Sequence, residues 1–177
     1  MKFLLSIILI STLFSCNSQN KEEIKSEQSE NKWLAADLVV KWENNKSYIL
    51  KMLEVMPEEH YEFVPAEGMR TYKEQAEHIV SSFNYQMAKT GFFDLPEVDN
   101  TNKKSLIQSY TKIFDEIISK LKNVKDSELK TETSMWYGQS TYLRILNLAD
   151  NHLAHHRGQM IVYLRLKGIE PPSYIGW

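Results

Sequence analysis

A chain of 177 residues that is 42% apolar and 25% charged supports one ordinary globular core and leaves little room for a second domain. Its 21 basic and 23 acidic residues give a formal charge of −2, which supplies no electrostatic attraction to a polyanion, so nucleic acid is not expected as a partner.

The first fifteen residues carry one basic residue, Lys2, followed by an apolar run from Phe3 to Phe14. That run is too short for the roughly 20 residues of a membrane-spanning helix and reads as a secretory signal. Cys16, the single cysteine of the chain, stands where cleavage would occur. Leu13-Phe14-Ser15-Cys16 resembles a bacterial lipobox, which makes Cys16 the expected site of lipid attachment and the cell envelope of a bacterium the expected address. Residues 16–32 are polar with a single Ile and present no apolar face, so they are expected to form a disordered tether after the acylated Cys. The folded unit is expected over 33–177. With Cys16 acylated it would contain neither a disulfide nor a thiol nucleophile.

From Trp33 to Met56 the apolar residues Leu34, Leu38, Trp42, Ile49, Met52, Leu53 and Met56 recur at helical spacing, with lysines and glutamates between them. Pro57 ends that helix, and the stretch MPEEHYEFVPAEGMR reads as an ordered loop in which His60 is a surface residue. Thr71-Tyr72-Lys73-Glu74 fits the capping box S/T-x-x-E and starts a second helix running to about Lys89, before Gly91. His78 therefore sits two turns into a helix whose start is marked. A third helix follows from Leu106, Ile107, Tyr110, Ile113, Phe114, Ile117, Ile118 and Leu121. Residues 122–139 lack helical periodicity and read as a long crossover, with Trp136 and Tyr137 folded back as packing. Ser140 is read as the N-cap of a last helix over 141–167, stopped by Gly168 and Pro171-Pro172, and the tail SYIGW is expected to pack on the bundle. The predicted fold class is all-α, a four-helix bundle with a long crossover connection.

Three of the five histidines lie in NHLAHHRGQ, residues 151–159. His152 and His156 are four apart, so their side chains stack on one helical face and can turn nitrogens toward one ion. Alone that spacing is a weak signal. The face they occupy borders Leu148, Ala149, Leu153, Met160 and Tyr163, and buried neutral imidazoles there require a partner for each lone pair. His78 supplies a third nitrogen from another element. Three histidines leave a four-coordinate ion one open position, the feature that separates catalytic from closed structural sites. His155 points about 100° away from His156 and reads as a packing or supporting group. Gln159, on the face of His152 and His156, can orient water or substrate or can form a structural amide bond across the bundle. Ser81, Ser82 and Tyr85, one and two turns after His78, carry the same two readings. Zn2+, Ni2+ and Fe2+ all suit three imidazoles, so the spacing does not choose the divalent metal.

The segments MPEEHYEFVPAEGMRTYKEQAEHIV (56–80) and NHLAHHRGQMIVYLRLKGIEPP (151–172), with the helix order between them, resemble the DinB-like superfamily, which includes the YfiT-type proteins. The resemblance covers about residues 33–172. It implies a four-helix bundle that binds a divalent metal through one histidine on an early helix and an H-x-x-x-H pair on the last, positions held here by His78, His152 and His156. Characterised members resemble metal-dependent transferases and an isomerase that work with low-molecular-weight thiols such as bacillithiol or mycothiol. Homodimers occur among them. Small-thiol cofactors are chiefly cytosolic, so an exported lipoprotein would meet little of them, which moves weight toward hydrolysis with water as nucleophile. The expected function is thus an envelope-anchored divalent-metal-dependent transferase or hydrolase acting on a small molecule, the alternative being a non-catalytic metal-binding or protein-interaction bundle.

Overall fold

The computed structural model describes residues 32–177, so the expected signal peptide, Cys16 and the tether lie outside the described residues. Four long helices make up the described chain: α1 (Trp33–Val55), α2 (Tyr72–Met87), α3 (Lys103–Asn123) and, after the short α4 (Asp126–Leu129), α5 (Tyr142–Leu166). Two four-residue strands, β1 (Glu132–Met135) and β2 (Gly138–Thr141), pair antiparallel between α4 and α5. The architecture is the all-α bundle expected from the apolar periodicity, with α1 packed chiefly on α3 and α2 on α5. Among the described residues no helix is long and apolar enough to cross a membrane.

Apolar residues at threes and fours bring Leu38, Trp42, Ile49, Met52 and Leu53 of α1 against Leu106, Tyr110, Ile113, Phe114 and Ile117 of α3, all of them buried. Trp42 is the centre of this core, with its ring 5.7 Å from both Phe83 of α2 and Phe114. Full burial of side chains this large contributes roughly 2–3 kcal/mol each relative to exposure. Buried tyrosines satisfy backbone carbonyls as they pack: Tyr72 donates to Met52 at 2.7 Å and Tyr110 to Ala76 at 2.8 Å. Burial pushes both phenols well above their ordinary pKa, so they remain donors.

The start of α2 is set locally. Thr71 Oγ1 accepts from the Glu74 amide at 3.0 Å, and the Glu74 carboxylate accepts from the Thr71 amide at 2.7 Å. The carbonyls of Tyr61 and Phe63 take the amides of Lys73 and Tyr72, which docks the preceding loop onto the same turn. α1 begins differently, since its first turn has no local cap. Its free amides at Leu34 and Ala35 donate to the two carboxylate oxygens of Asp126 at 3.2 and 2.9 Å. A negative charge at a helix N-terminus also meets the favourable end of the helix dipole. On the far side of α5, Arg157 donates to Asn45 at 3.0 Å and lies 4.7 Å from the Tyr48 ring, while Asn45 donates to Asp150 at 2.8 Å. That network ties α5 to α1.

The crossover departs from expectation. Residues 122–139 hold the end of α3, a helical turn and a hairpin whose two-residue loop is Trp136-Tyr137. The apolar alternation that betrays a strand is too sparse here, because only Met135 among Glu132–Met135 is apolar. Gly138, at φ 115°, occupies backbone space that L side chains rarely enter and starts the return strand. Trp136 and Tyr137 are not buried as packing: they are 59% and 49% exposed at the hairpin tip, with the Trp136 ring meeting the bundle at Tyr85. Ser140 is not the N-cap either. It is buried in β2 beside the Tyr137 hydroxyl at 3.0 Å, and Thr141 caps α5 by accepting from the Arg144 amide. In the tail, Tyr174 meets Tyr48 edge-on and Asn44 donates to the Gly176 carbonyl, so SYIGW touches the bundle while Tyr174 and Trp177 remain largely exposed.

Candidate metal centre

The cleft between α2 and α5 holds the three histidines singled out by spacing. His78 projects from α2 two turns after its capping box, and His152 and His156 project from one face of α5. The ring centroids lie 4.9 Å apart for His78 and His152, 4.6 Å for His78 and His156, and 4.4 Å for His152 and His156. One nitrogen from each ring lies within 4.8 Å of the others. His156 is buried, and His78 and His152 are half-buried, so the cluster is open on one side.

The arrangement fits a divalent ion. The Nε2 atoms of His152 and His156 face each other at 3.1 Å. Two nitrogens each about 2.1 Å from one ion stand about 3.0 Å apart in octahedral and about 3.4 Å apart in tetrahedral geometry, which brackets the observed separation. His156 Nδ1 is 2.8 Å from Gln75 Oε1, an outward bond of the kind that orients a metal-binding imidazole. His152 Nδ1 is buried with no hydrogen-bond partner, so this ring is not held in place by hydrogen bonds at both nitrogens. A set of three imidazoles suits Zn2+, Ni2+ or Fe2+.

Electrostatics keep the cluster ready to accept a cation. Burial, followed by the neighbouring histidines and Arg70, drives the His156 pKa down to about 4. His78 and His152 are lowered too, again by burial first, then by Arg70 for His78 and by His78, His155 and Arg70 for His152. All three are neutral at physiological pH and offer lone pairs.

Of the supporting residues expected from sequence, Gln159 bridges to both sides: its Oε1 is 2.8 Å from Gln75 Nε2 and its Nε2 is 3.0 Å from His155 Nε2. His155 is exposed and stands edge-on to His156, outside the three-nitrogen cluster. Ser82 is half-buried one turn after His78, while Tyr85 is exposed and packs at 5.4 Å on Trp136 of the hairpin. Ser81 turns back to the Glu77 carbonyl, and His60 closes the short turn Glu58–His60 away from the cluster. Gln75 escaped the sequence reading. Its signal was an amide in the buried stripe Tyr72, Ala76, Ile79, Phe83 of α2, where a polar side chain requires partners.

The sequence profile of the DinB family matches residues 20–176. The chain belongs to the DinB family. It is 29% identical over 134 residues to YjoA, an uncharacterised protein of Bacillus subtilis, a match that spans 70% of this chain and 85% of that protein. Among solved structures it is similar to a DinB-like protein from Bacillus cereus, with a TM-score of 0.70 and 26% identity over 77% of this chain and 95% of the other. The crystal structure of YjoA shares the fold, with a TM-score of 0.65 and 22% identity over 80% and 99% of the two chains. Family and geometry agree on a helical bundle carrying a three-histidine cluster able to hold a metal ion.

Proposed function

We propose that this DinB-family chain is a divalent-metal-dependent enzyme, a transferase or hydrolase acting on a small molecule, with His78, His152 and His156 as the metal ligands. The observation that carries the reading is the convergence of three neutral imidazoles from two helices in a cleft open on one side. A divalent ion held there supplies Lewis-acid chemistry, lowering the pKa of a coordinated water or thiol toward neutrality.

The chain's own residues arrange the rest. α2 and α5 fix the three rings, and Gln75 holds His156 from behind at 2.8 Å. Arg70, exposed at the end of the loop before α2, is the charged side chain whose field all three imidazoles feel. That positive field favours a substrate bearing negative charge. Ser82 and Tyr85 continue the His78 face of α2 and line the approach, and Gln159 is placed to orient a bound molecule. The lipobox-like Leu13-Phe14-Ser15-Cys16 supports export and lipid anchoring at the bacterial envelope, which favours water over a cytosolic thiol as nucleophile. A homodimer is in keeping with the family.

A second reading, an ion that only cross-links α2 and α5, draws on one observation. Glu74 is engaged in the cap and Glu77 stands 3.6 Å from Lys73, so neither nearby carboxylate is poised as a general base. Elemental analysis of the purified protein, with thermal melts before and after chelation, tests metal binding itself: a metal-free sample whose melt does not respond to added Zn2+, Ni2+ or Fe2+ removes both readings. In the Co2+-substituted protein, azide or a small thiol should change the visible spectrum. Indifference to every such ligand would favour the cross-link. Metabolic labelling with a fatty-acid analogue tests the anchor: label that Cys16→Ala abolishes is expected, and an unlabelled wild type removes the proposal.

A further inference from the structure

We infer that Gln75 is the positioning residue of the histidine cluster, and that a hydrogen-bond relay starting at the Arg70 backbone carbonyl fixes which nitrogen of His156 faces the site. The Tyr163 hydroxyl lies 2.6 Å from the Arg70 carbonyl oxygen. A carbonyl only accepts, so the hydroxyl proton is committed to that bond. Gln75 approaches the same hydroxyl at 3.3 Å, and a hydroxyl whose proton is committed can only accept there. The Gln75 atom facing Tyr163 is therefore the amide nitrogen. Its other N–H reaches Gln159 Oε1 at 2.8 Å.

With the amide of Gln75 oriented, its oxygen is the atom 2.8 Å from His156 Nδ1. An amide oxygen accepts, so Nδ1 carries the proton and the neutral ring presents a bare Nε2 to the cluster. The same logic runs outward: Gln159 is turned with its nitrogen toward His155 Nε2 at 3.0 Å, so that nitrogen is the acceptor and His155 carries its proton on Nδ1. One backbone carbonyl thus sets the orientation of two amides and the tautomers of two imidazoles. The bonds from Gln75 to Tyr163 and to His156 are buried, so water does not compete for them, whereas the outer bond from Gln159 to the exposed His155 is open to solvent. In the opposite tautomer His156 would aim an N–H into the cluster, where an ion cannot bind.

The tautomer follows from the chain alone, whereas its consequence for affinity rests on the metal-centre reading. Long-range 1H–15N spectra of the histidine side chains in the metal-free full chain at pH 8 should show His156 in the Nδ1–H form. Gln75→Leu should leave His156 a mixture of tautomers and weaken Zn2+ binding, measured by competition with a chromophoric chelator, by about 10–100-fold. Tyr163→Phe, which frees the Gln75 amide to rotate, should fall between wild type and Gln75→Leu. Gln75→Glu should keep His156 in the Nδ1–H form, because a carboxylate can only accept, but it should reverse the Gln159 amide, which must then donate where it accepted, and so move the His155 signal. An Nε2–H tautomer at His156 in the wild type overturns the relay, as does a Gln75→Leu variant of native circular dichroism with undiminished Zn2+ affinity. If the wild type takes no Zn2+, the metal-centre reading fails while the tautomer spectrum still decides the relay.

Discussion

Where α1 meets α3 the buried surface is almost entirely apolar, organised around Trp42 and Phe114, whereas the seam of α2 and α5 buries His156 and Gln75 within a polar network. The first seam gains free energy from area removed from water, and its side chains have no use outside the protein. The second gives up part of that gain to keep three nitrogen lone pairs and a chain of oriented amides in a cleft. The apolar core and the candidate metal centre therefore lie on different helix pairs of one bundle, and each can be attacked without the other.

Trp42→Ala should do the greatest damage, about 3–5 kcal/mol in urea unfolding, since it removes the largest fully buried side chain and leaves a cavity between α1, α2 and α3. A loss under 1 kcal/mol would contradict the division. The next effect belongs to the second seam: a divalent metal at about 100 times its Kd should stabilise the wild type by about 2.7 kcal/mol. His78→Ala should abolish that increment while leaving metal-free stability nearly unchanged, and a large loss in metal-free His78→Ala would mean that the histidine is structural.

Acid sharpens the comparison further. In the unfolded chain a histidine titrates near 6.5, but in the fold His156 titrates at about 4, with His78 and His152 lowered in the same direction. Between those values the unfolded chain binds more protons, so metal-free stability should fall as pH drops from about 6.5 toward 4. His156→Gln should show a shallower decline in urea melts across that window, and an equal slope would point to carboxylates instead. The smallest effect is expected at the hairpin tip, where Trp136→Ser removes a largely exposed ring that touches the bundle through Tyr85 of α2 and should change stability by about 0.5 kcal/mol or less.

The sequence displayed whatever is encoded within a turn or two of itself. Helix periodicity, the Thr71 capping box and the four-residue spacing of His152 and His156 all have local causes; α1, α2 and α5 begin and end within a residue or two of expectation, while α3 starts at Lys103, three residues before the apolar pattern at Leu106. The hairpin was hidden because its strands are polar and only four residues long. The exposure of Trp136 follows from that turn, which no apolar pattern announces. Gln75 and Asp126 were illegible for a different reason: their partners lie 81 and 91 residues away, and only the assembled bundle brings them within hydrogen-bond reach.

The bond from Asp126 to the first turn of α1 has a consequence for the order in which the chain matures. As the polypeptide leaves the ribosome, α1 emerges with bare amides and an apolar stripe whose partner, α3, is not yet made. Its first turn gains its cap only after residue 126 has appeared, when the chain must close a loop of some ninety residues. Until then α1 is a natural client for whatever escorts nascent chains. Asp126→Asn, which keeps the shape but removes the charge and one of the two accepting oxygens, should slow refolding more than it speeds unfolding if this closure belongs to the folding nucleus.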